Sequence, residues 1–160
     1  MKISCRINGK DMTFNCFADK PLLNLIMEQT SLTSLNPGCG QGTCGSCIVF
    51  IDGEPLHACL VPAFMIREKE IVTFEGYSKS RFYSDVTRGY EDTGNKPCPY
   101  CYSAKTMLIE SIIRENSSPK REQILDTLSV NSCDCLEQGE LIAIVEAAAK
   151  YRRRRRVRRS

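Results

Sequence analysis

The stretch "GCGQGTCGSCIVFIDGEPLHAC", from Gly38 to Cys59, holds four of the chain's ten cysteines and five of its ten glycines. Its second half predicts a β-hairpin, because "CIVFI" is rich in β-branched and aromatic residues and Asp52-Gly53 favours a tight turn. The returning segment "EPLHAC" then carries Cys59 back toward Cys47. We therefore predict one site built from four cysteines: Cys39, Cys44, Cys47 and Cys59.

The spacing of these cysteines is typical of one metal group. Cys39-x4-Cys44-x2-Cys47 with a later fourth cysteine matches the plant-type ligand pattern for a [2Fe–2S] cluster. Glycine accepts positive φ and lets backbone N–H groups approach inorganic sulfur. We expect four glycines to line this cluster site: Gly38, Gly40, Gly42 and Gly45. Structural zinc, which usually pairs C-x2-4-C units, is the alternative. A Rieske centre needs two histidines; the chain has only His57, which we expect on a strand face.

The residues around this stretch predict a compact α+β domain over residues 1–76. Residues 1–17 alternate between apolar and polar about Asn8-Gly9, the strongest short hairpin signal. "KPLLNLIMEQ" predicts a short amphipathic helix packed on the sheet. "IVTF", from Ile71 to Phe74, predicts a final strand. Two further cysteines lie on the predicted strands and are expected to be small buried hydrophobic residues: Cys5 and Cys16.

The second half of the chain, residues 77–150, predicts an all-α domain with four helices and short connections. Helix formers and apolar residues at helical spacing mark the predicted helices: 81–91, 103–116, 119–129 and 139–150.

This helical half carries a second cysteine set, Cys98-x2-Cys101 and, after 31 residues, Cys133-x-Cys135. The first pair precedes a helix N-terminus, where backbone dipoles favour thiolates. The second pair lies in the turn between two later helices. Taken alone, this set leaves zinc, a redox dithiol and an iron–sulfur cluster open.

Together the two sets are more specific. A glycine-rich C-x4-C-x2-C-x11-C module followed by a helical C-x2-C-x31-C-x-C module resembles the small iron–sulfur subunit of the molybdenum hydroxylases, the family of xanthine dehydrogenase, aldehyde oxidoreductase and carbon monoxide dehydrogenase. The resemblance covers residues 1–150. It implies an α+β fold class: an N-terminal β-grasp, ferredoxin-like domain and then an all-α four-helix bundle. It also implies two [2Fe–2S] clusters, one held by each cysteine set.

The resemblance implies an electron-transfer subunit with no catalytic residue or substrate site of its own. Electrons from a molybdopterin-binding large subunit would pass to the helical-domain cluster, then to the β-grasp cluster, then to an FAD-binding medium subunit or another acceptor. By analogy we expect a purine-oxidising complex. A free-standing two-cluster ferredoxin and a zinc-stapled interaction protein are the alternatives.

Two segments depart from the family pattern. Family members usually have Gln-Cys-Gly-x-Cys-Thr-Pro-Gly, with the glutamine beside the pterin, whereas this chain has "PCPYCYSA" from Pro97. The family string Cys-Arg-Cys-Thr-Gly-Tyr is "CDCLEQ" here, which places Asp134 where the family has a cation. An acidic residue beside a cluster should disfavour its reduction.

Composition limits the cellular location and the classes of binding partner that we expect. The N-terminus lacks a signal-peptide run and no window approaches a membrane span, so we expect a cytoplasmic protein whose cysteines serve metal chemistry. The segment "YRRRRRVRRS", residues 151–160, contains seven of the 22 basic residues; the rest has 15 basic against 19 acidic residues. We expect this tail to be a disordered, solvated extension, with an anionic partner as the alternative, and no nucleic-acid-binding body.

Overall fold

The computed structural model describes residues 1–159. Two tight turns connect its strands into hairpins. Asn8-Gly9 and Asp52-Gly53 have positive φ at both residues, as primed hairpin turns require. Each turn joins an antiparallel strand pair. The strands are β1 (Lys2–Ile7), β2 (Lys10–Asn15), β3 (Ile48–Ile51), β4 (Glu54–His57) and β5 (Glu70–Val72).

The five strands form one mixed sheet in the order β2-β1-β5-β3-β4. The central strand β5 pairs parallel with β1 and antiparallel with β3. One helix, α1 (Leu22–Gln29), covers a face of this sheet. Four of its apolar residues are buried in a core shared with the strands: Leu22, Leu23, Leu25 and Ile26. A mixed sheet holding one helix confirms the predicted ferredoxin-like β-grasp domain.

Strand β3 is buried on both faces, which explains its uninterrupted apolar sequence. Val49 and Ile51 belong to the core under α1, whereas Ile48 and Phe50 pack into the core of the helical half. The sheet therefore lies between α1 and the helices that follow, and the two halves of the chain share an apolar interface.

The helical half confirms the predicted all-α domain. Its helices are α2 (Phe74–Tyr77), α3 (Tyr83–Thr93), α4 (Tyr102–Glu115), α5 (Arg121–Leu128) and α6 (Gln138–Val157). Helix α4 is central, because every residue from 104 to 113 is buried. It packs against β3, α2, α3, α5 and α6. Within residues 1–159, no helix is both long enough and apolar enough to cross a bilayer.

Several predicted boundaries differ from the structure. The strand predicted to end at Phe74 ends at Val72, because Phe74 begins the short helix α2. The helix predicted from residue 119 begins at Arg121, where the Gln123 side chain accepts the backbone N–H of Lys120 at 3.0 Å. Cys5 is buried as predicted, but Cys16 lies just beyond β2 and is only half-buried.

Within residues 151–159, the basic C-terminal segment is not the disordered extension that the sequence predicts; Ser160, which the same prediction covers, lies outside the described residues. Helix α6 continues through it to Val157. Arg152 is only 3% exposed and forms ion pairs of 2.7 Å with Asp85 on α3 and with Glu110 on α4. Two buried carboxylates need a buried cation, and the tail supplies it. Residues 151–157 are therefore part of the folded helical domain.

Candidate metal centres

The loop between α1 and β3 surrounds Cys39 with backbone donors. Its four glycines all have positive φ, between 53° and 74°: Gly38, Gly40, Gly42 and Gly45. Three backbone N–H groups donate to the Cys39 Sγ at 3.3 Å each, those of Gln41, Thr43 and Cys44. Curling the chain around one sulfur needs residues that tolerate positive φ. The loop thus presents a sulfur atom within a ring of donors, as an anionic cluster requires.

These donors also change the acidity of the site. The Thr43 side chain and the backbone N–H groups lower the pKa of the Cys39 thiol to about 5. The thiolate, which is the metal-binding form of cysteine, is therefore favoured at neutral pH. The Cys44 sulfur lies beside it, where it accepts the Cys39 backbone N–H at 3.4 Å and contacts the Ser46 hydroxyl at 3.0 Å.

The β3–β4 hairpin brings the other two cysteines of the first set together. Its register pairs Ile48 with His57, and the Ala58 N–H donates to the Cys47 carbonyl at 2.9 Å. Cys47 and Cys59 therefore lie near each other at the open end of the hairpin, and both are buried. Burial raises the pKa of Cys47 to about 12. Metal coordination is what deprotonates a thiol in such a place.

The second cysteine set forms a tighter cage. Cys98 and Cys101 precede α4, and Cys133 and Cys135 lie between α5 and α6. Their four Sγ atoms all lie within 4.8 Å of one another. The Cys98 Sγ lies 3.5 Å from the Cys101 Sγ and 3.7 Å from the Cys133 Sγ. The Cys101 Sγ lies 3.3 Å from the Cys135 Sγ. Four sulfur ligands from two separate turns thus converge on one volume.

The thiols of this cage differ in environment. Hydrogen bonding, first from the Cys101 backbone, lowers the pKa of Cys98 to about 7. Burial raises the pKa of Cys101, which is fully buried, and that of Cys133. Cys135 is exposed, so one edge of the cage reaches the surface. The arrangement combines a buried interior with an accessible edge.

The two sets are arranged differently, and both arrangements suit thiolate-bound metal. In residues 1–159, the second set is the one group of three or more potential ligands that lies within 4.8 Å. The first set instead forms two neighbouring pairs. Cys39 and Cys44 each donate a backbone N–H to the other's Sγ, and the Ala58 N–H bond to the Cys47 carbonyl brings Cys59 near Cys47. Two pairs are what a two-iron cluster with two thiolates on each iron would need. Four close sulfurs would also fit a single tetrahedral zinc ion, with Zn–S bonds of about 2.3 Å. Geometry alone therefore leaves the metal open at the second site.

Two residues that join the sites were not predicted from the sequence. Asn131 is buried, and its side-chain amide donates to the Gly45 carbonyl at 3.0 Å. Lys105 is 1% exposed and donates to the Asn131 side chain at 2.7 Å. A signal for Lys105 was present, because it shares a helix face with Leu108 and Ile109 at spacings of three and four. No comparable pattern marks Asn131.

Comparison with known proteins resolves the type of metal centre. Residues 5–72 match the "2Fe-2S iron-sulfur cluster binding domain" family, and residues 73–148 match the "[2Fe-2S] binding domain" family. A nicotinate dehydrogenase subunit from Pseudomonas putida is 31% identical over 152 residues, which cover 95% of this chain and 97% of that protein. This chain belongs to the small iron–sulfur subunits of the molybdenum hydroxylases.

Two further relatives extend this assignment of the iron–sulfur subunit. The xanthine dehydrogenase iron–sulfur-binding subunit of Escherichia coli O157:H7 is 32% identical over 138 residues, covering 83% of this chain and 84% of that protein. A crystal structure of quinoline 2-oxidoreductase from Pseudomonas putida 86 superposes with a TM-score of 0.83 and 31% identity, covering 96% of both chains. This iron–sulfur subunit therefore binds two [2Fe–2S] clusters and transfers electrons within an oxidoreductase. The alternative of a structural zinc site is excluded.

Proposed function

We propose that two sets of four cysteines hold the two [2Fe–2S] clusters and that electrons pass from the helical domain to the β-grasp domain. In each cluster the iron supplies one-electron chemistry, while the protein supplies thiolate ligands, hydrogen-bond donors and a defined separation. The proposed ligands of the β-grasp cluster are Cys39, Cys44, Cys47 and Cys59. The proposed ligands of the helical-domain cluster are Cys98, Cys101, Cys133 and Cys135. Gly38, Gly40, Gly42 and Gly45 line the first site and allow its loop to wrap the cluster.

A direct connection between the two cysteine sets is the observation that carries this proposal. The Ser132 N–H donates to the Cys44 carbonyl at 3.0 Å. Since Ser132 immediately precedes Cys133, one hydrogen bond links a ligand of each site through the backbone. The Asn131 amide adds a parallel link to Gly45. Short bonded paths of this kind favour electron transfer between the two sites.

The exposed edges of the two sites suit entry and exit of electrons. Cys135 and Tyr100 place the helical-domain site at the surface. Near the β-grasp loop, a Cβ on Gly42 would meet Leu60, which is itself exposed. We infer a molybdopterin-binding large subunit at the first edge and an FAD-binding medium subunit or another acceptor at the second. Because Pro97 has no side-chain donor, either the large subunit supplies the pterin contact or this subunit serves a divergent enzyme.

We further propose a cytoplasmic location and a purine-oxidising complex. Ten cysteines, of which eight are proposed metal ligands, fit the cytoplasm, where thiols stay reduced. The relatives are named for nicotinate, isoquinoline, xanthine and aldehydes, so the purine-oxidising complex stays a prediction. The substrate site belongs to the partner subunit in this proposal.

Anaerobic purification tests the proposal directly. Two clusters require about four irons per chain and two distinct [2Fe–2S] signals by EPR. Cys59→Ser should remove one signal and Cys135→Ser the other, whereas Cys16→Ser, which lies outside both sets, should keep both. A molybdopterin-binding subunit should co-purify with the wild-type chain. Stoichiometric zinc without iron would overturn the cluster assignment, and two clusters with no large subunit would favour the free-standing carrier.

A further inference from the structure

Within residues 1–159, Lys105 is a buried cation without an anionic partner. It is the fourth residue of α4 and only 1% exposed. Its Nζ donates to the Asn131 Oδ1 at 2.7 Å and to the Cys133 carbonyl oxygen at 2.6 Å. Both acceptors are neutral. The ion pairs among residues 1–159 are formed by other cations: Arg6, Lys20, Lys69, Arg152 and Arg155.

An uncompensated ammonium in the interior is costly, because burial removes the water that stabilises its charge. The helical domain shows the usual solution at Arg152, whose charge is paired with Asp85 and Glu110. Among the described residues, no carboxylate pairs with Lys105 in this way. Its negative counterpart must therefore come from a group that binds nearby, and Lys105 already contacts the backbone of one proposed ligand, Cys133.

The four thiols beside Lys105 provide that counterpart once a cluster is bound. A [2Fe–2S] centre with four thiolates carries a net negative charge, and reduction adds one more. The Lys105 Nζ lies 2.6 Å from the carbonyl oxygen of Cys133, and the carbonyl of Cys101, one helical turn earlier, accepts the Lys105 backbone N–H at 2.9 Å. The ammonium is therefore close enough to favour negative charge on the sulfur ligands.

We propose that Lys105 is the buried counter-charge of the helical-domain [2Fe–2S] cluster and raises its reduction potential. This inference rests on the proposed function, since it needs a cluster on Cys98, Cys101, Cys133 and Cys135. It also revises the expectation from Asp134. That residue lies between two ligands but is exposed, so water screens its charge. A buried charge acts through a lower dielectric and has the larger effect.

Lys105→Met and Lys105→Gln separate charge from hydrogen bonding. Methionine removes both, whereas glutamine removes the charge and keeps a donor for the two oxygens. In an EPR-monitored redox titration of the holoprotein, both variants should lower the potential of the helical-domain cluster. We expect about a tenfold lower ratio of reduced to oxidised cluster at a fixed potential, or about 59 mV for one electron. The β-grasp cluster should shift much less. Lys150→Met, on the exposed side of α6, is the matched control and should shift neither.

The outcomes separate the inference from the proposed function. The signal lost in Cys135→Ser identifies the helical-domain cluster, and iron content reports whether each variant keeps it. A wild-type potential in Lys105→Gln would show that hydrogen bonding, and not charge, is what matters, and would overturn the inference. Two intact clusters with unchanged potentials in both variants would also overturn it while leaving the proposed function standing. A wild-type chain without a [2Fe–2S] signal at this site would overturn both.

Discussion

The side-chain amide of Asn131 donates to the carbonyl oxygen of Gly45 at 3.0 Å, in a buried contact between residues 86 positions apart. Gly45 belongs to the loop of the first cysteine set, and Asn131 lies two residues before Cys133 of the second. The other end of the Asn131 side chain accepts from Lys105 and from the Cys133 backbone N–H. One asparagine thus joins the two proposed cluster loops and the buried cation, which makes this junction the most informative place for mutation.

Gly45→Ala should destabilise the junction. Gly45 has a φ of +67°, and an added Cβ would lie 2.0 Å from the Val130 carbonyl oxygen. The left-handed backbone costs alanine about 1–2 kcal/mol, and crowding against fixed backbone adds about 1–3 kcal/mol. The thermal unfolding midpoint and the iron content should both fall. Gly9→Ala is the matched control, because Gly9 has a φ of +78° and, among residues 1–159, no atom lies within 4 Å of the added Cβ. If the unfolding midpoint and iron content fell equally in Gly45→Ala and Gly9→Ala, the contact between Gly45 and Val130 would not be tight.

Arg152→Met should weaken the helical domain strongly. The substitution leaves the buried Glu110 without its cation and leaves the buried Asp85 with Arg155 alone. Breaking a buried ion pair by removing one partner typically costs about 3–5 kcal/mol. Urea unfolding of the holoprotein, followed by circular dichroism, measures this loss. Arg158→Met, at the exposed end of the same helix, should leave the urea midpoint nearly unchanged.

Deletion of residues 152–159 should also destabilise the isolated chain. A disordered tail would be removable without loss of stability, whereas this segment carries the ion pairs of Arg152 with two buried carboxylates. A wild-type unfolding midpoint after deletion would contradict the structural role of α6 beyond Lys150.

Glu75→Gln should loosen the segment that leads into the cluster loop. The Glu75 carboxylate accepts the backbone N–H groups of Thr33 and Ser34 at 2.8 Å each, and the Ser34 and Thr73 hydroxyls as well. Burial raises its pKa, but these hydrogen bonds prevail and hold the pKa at about 2. Since glutamine offers only one acceptor oxygen, we expect a loss of about 1–2 kcal/mol.

The pH dependence of that loss follows from the sign of the pKa shift. A depressed carboxyl pKa stabilises the fold above the unfolded value of about 4.3, and this contribution fades only as the pH falls toward 2. The difference between wild type and Glu75→Gln in chemical unfolding should therefore stay constant from about pH 5.5 to pH 8. Glu70→Gln, at the exposed first position of β5, should change stability little. If the stability difference between wild type and Glu75→Gln increased across this pH range, Glu75 would titrate within the range and its pKa would not be depressed.

Asp134→Arg should raise the potential of the helical-domain cluster. A cation beside the ligands stabilises the more negative reduced state, but the exposed position limits the gain. We expect a shift below that of the Lys105 variants, less than about 59 mV for one electron. An EPR-monitored redox titration with no upward shift would contradict this prediction, and a shift larger than that of Lys105→Met would reverse the ranking of the two charges.

Much of the fold could be predicted from local sequence. Asn8-Gly9 and Asp52-Gly53 produced both hairpins, because the turn backbone depends on the two residues that form it. Helix ends were less predictable. Phe74 extends an apolar β-like run, yet it begins α2, because its place is decided by packing against Tyr83 and Tyr102. Such contacts between distant residues leave no local pattern.

The basic segment shows the same limit more clearly. Within "YRRRRRVRRS" the arginines are chemically alike, so nothing local distinguishes Arg152 from Arg153. Only the packing of α6 against α3 and α4 makes one a buried ion-pair partner and leaves the other exposed.

The sequence by itself determined the cysteine spacings, the glycines that allow a loop to wrap sulfur and the turns that return Cys59 to Cys47, because each depends on neighbours along the chain. The tertiary structure decided what lies between the two sites. Lys105, Asn131 and Gly45 meet through contacts that span 26 and 86 residues. Their roles come from burial, which removes water and makes each charge and hydrogen bond count more than it would at the surface.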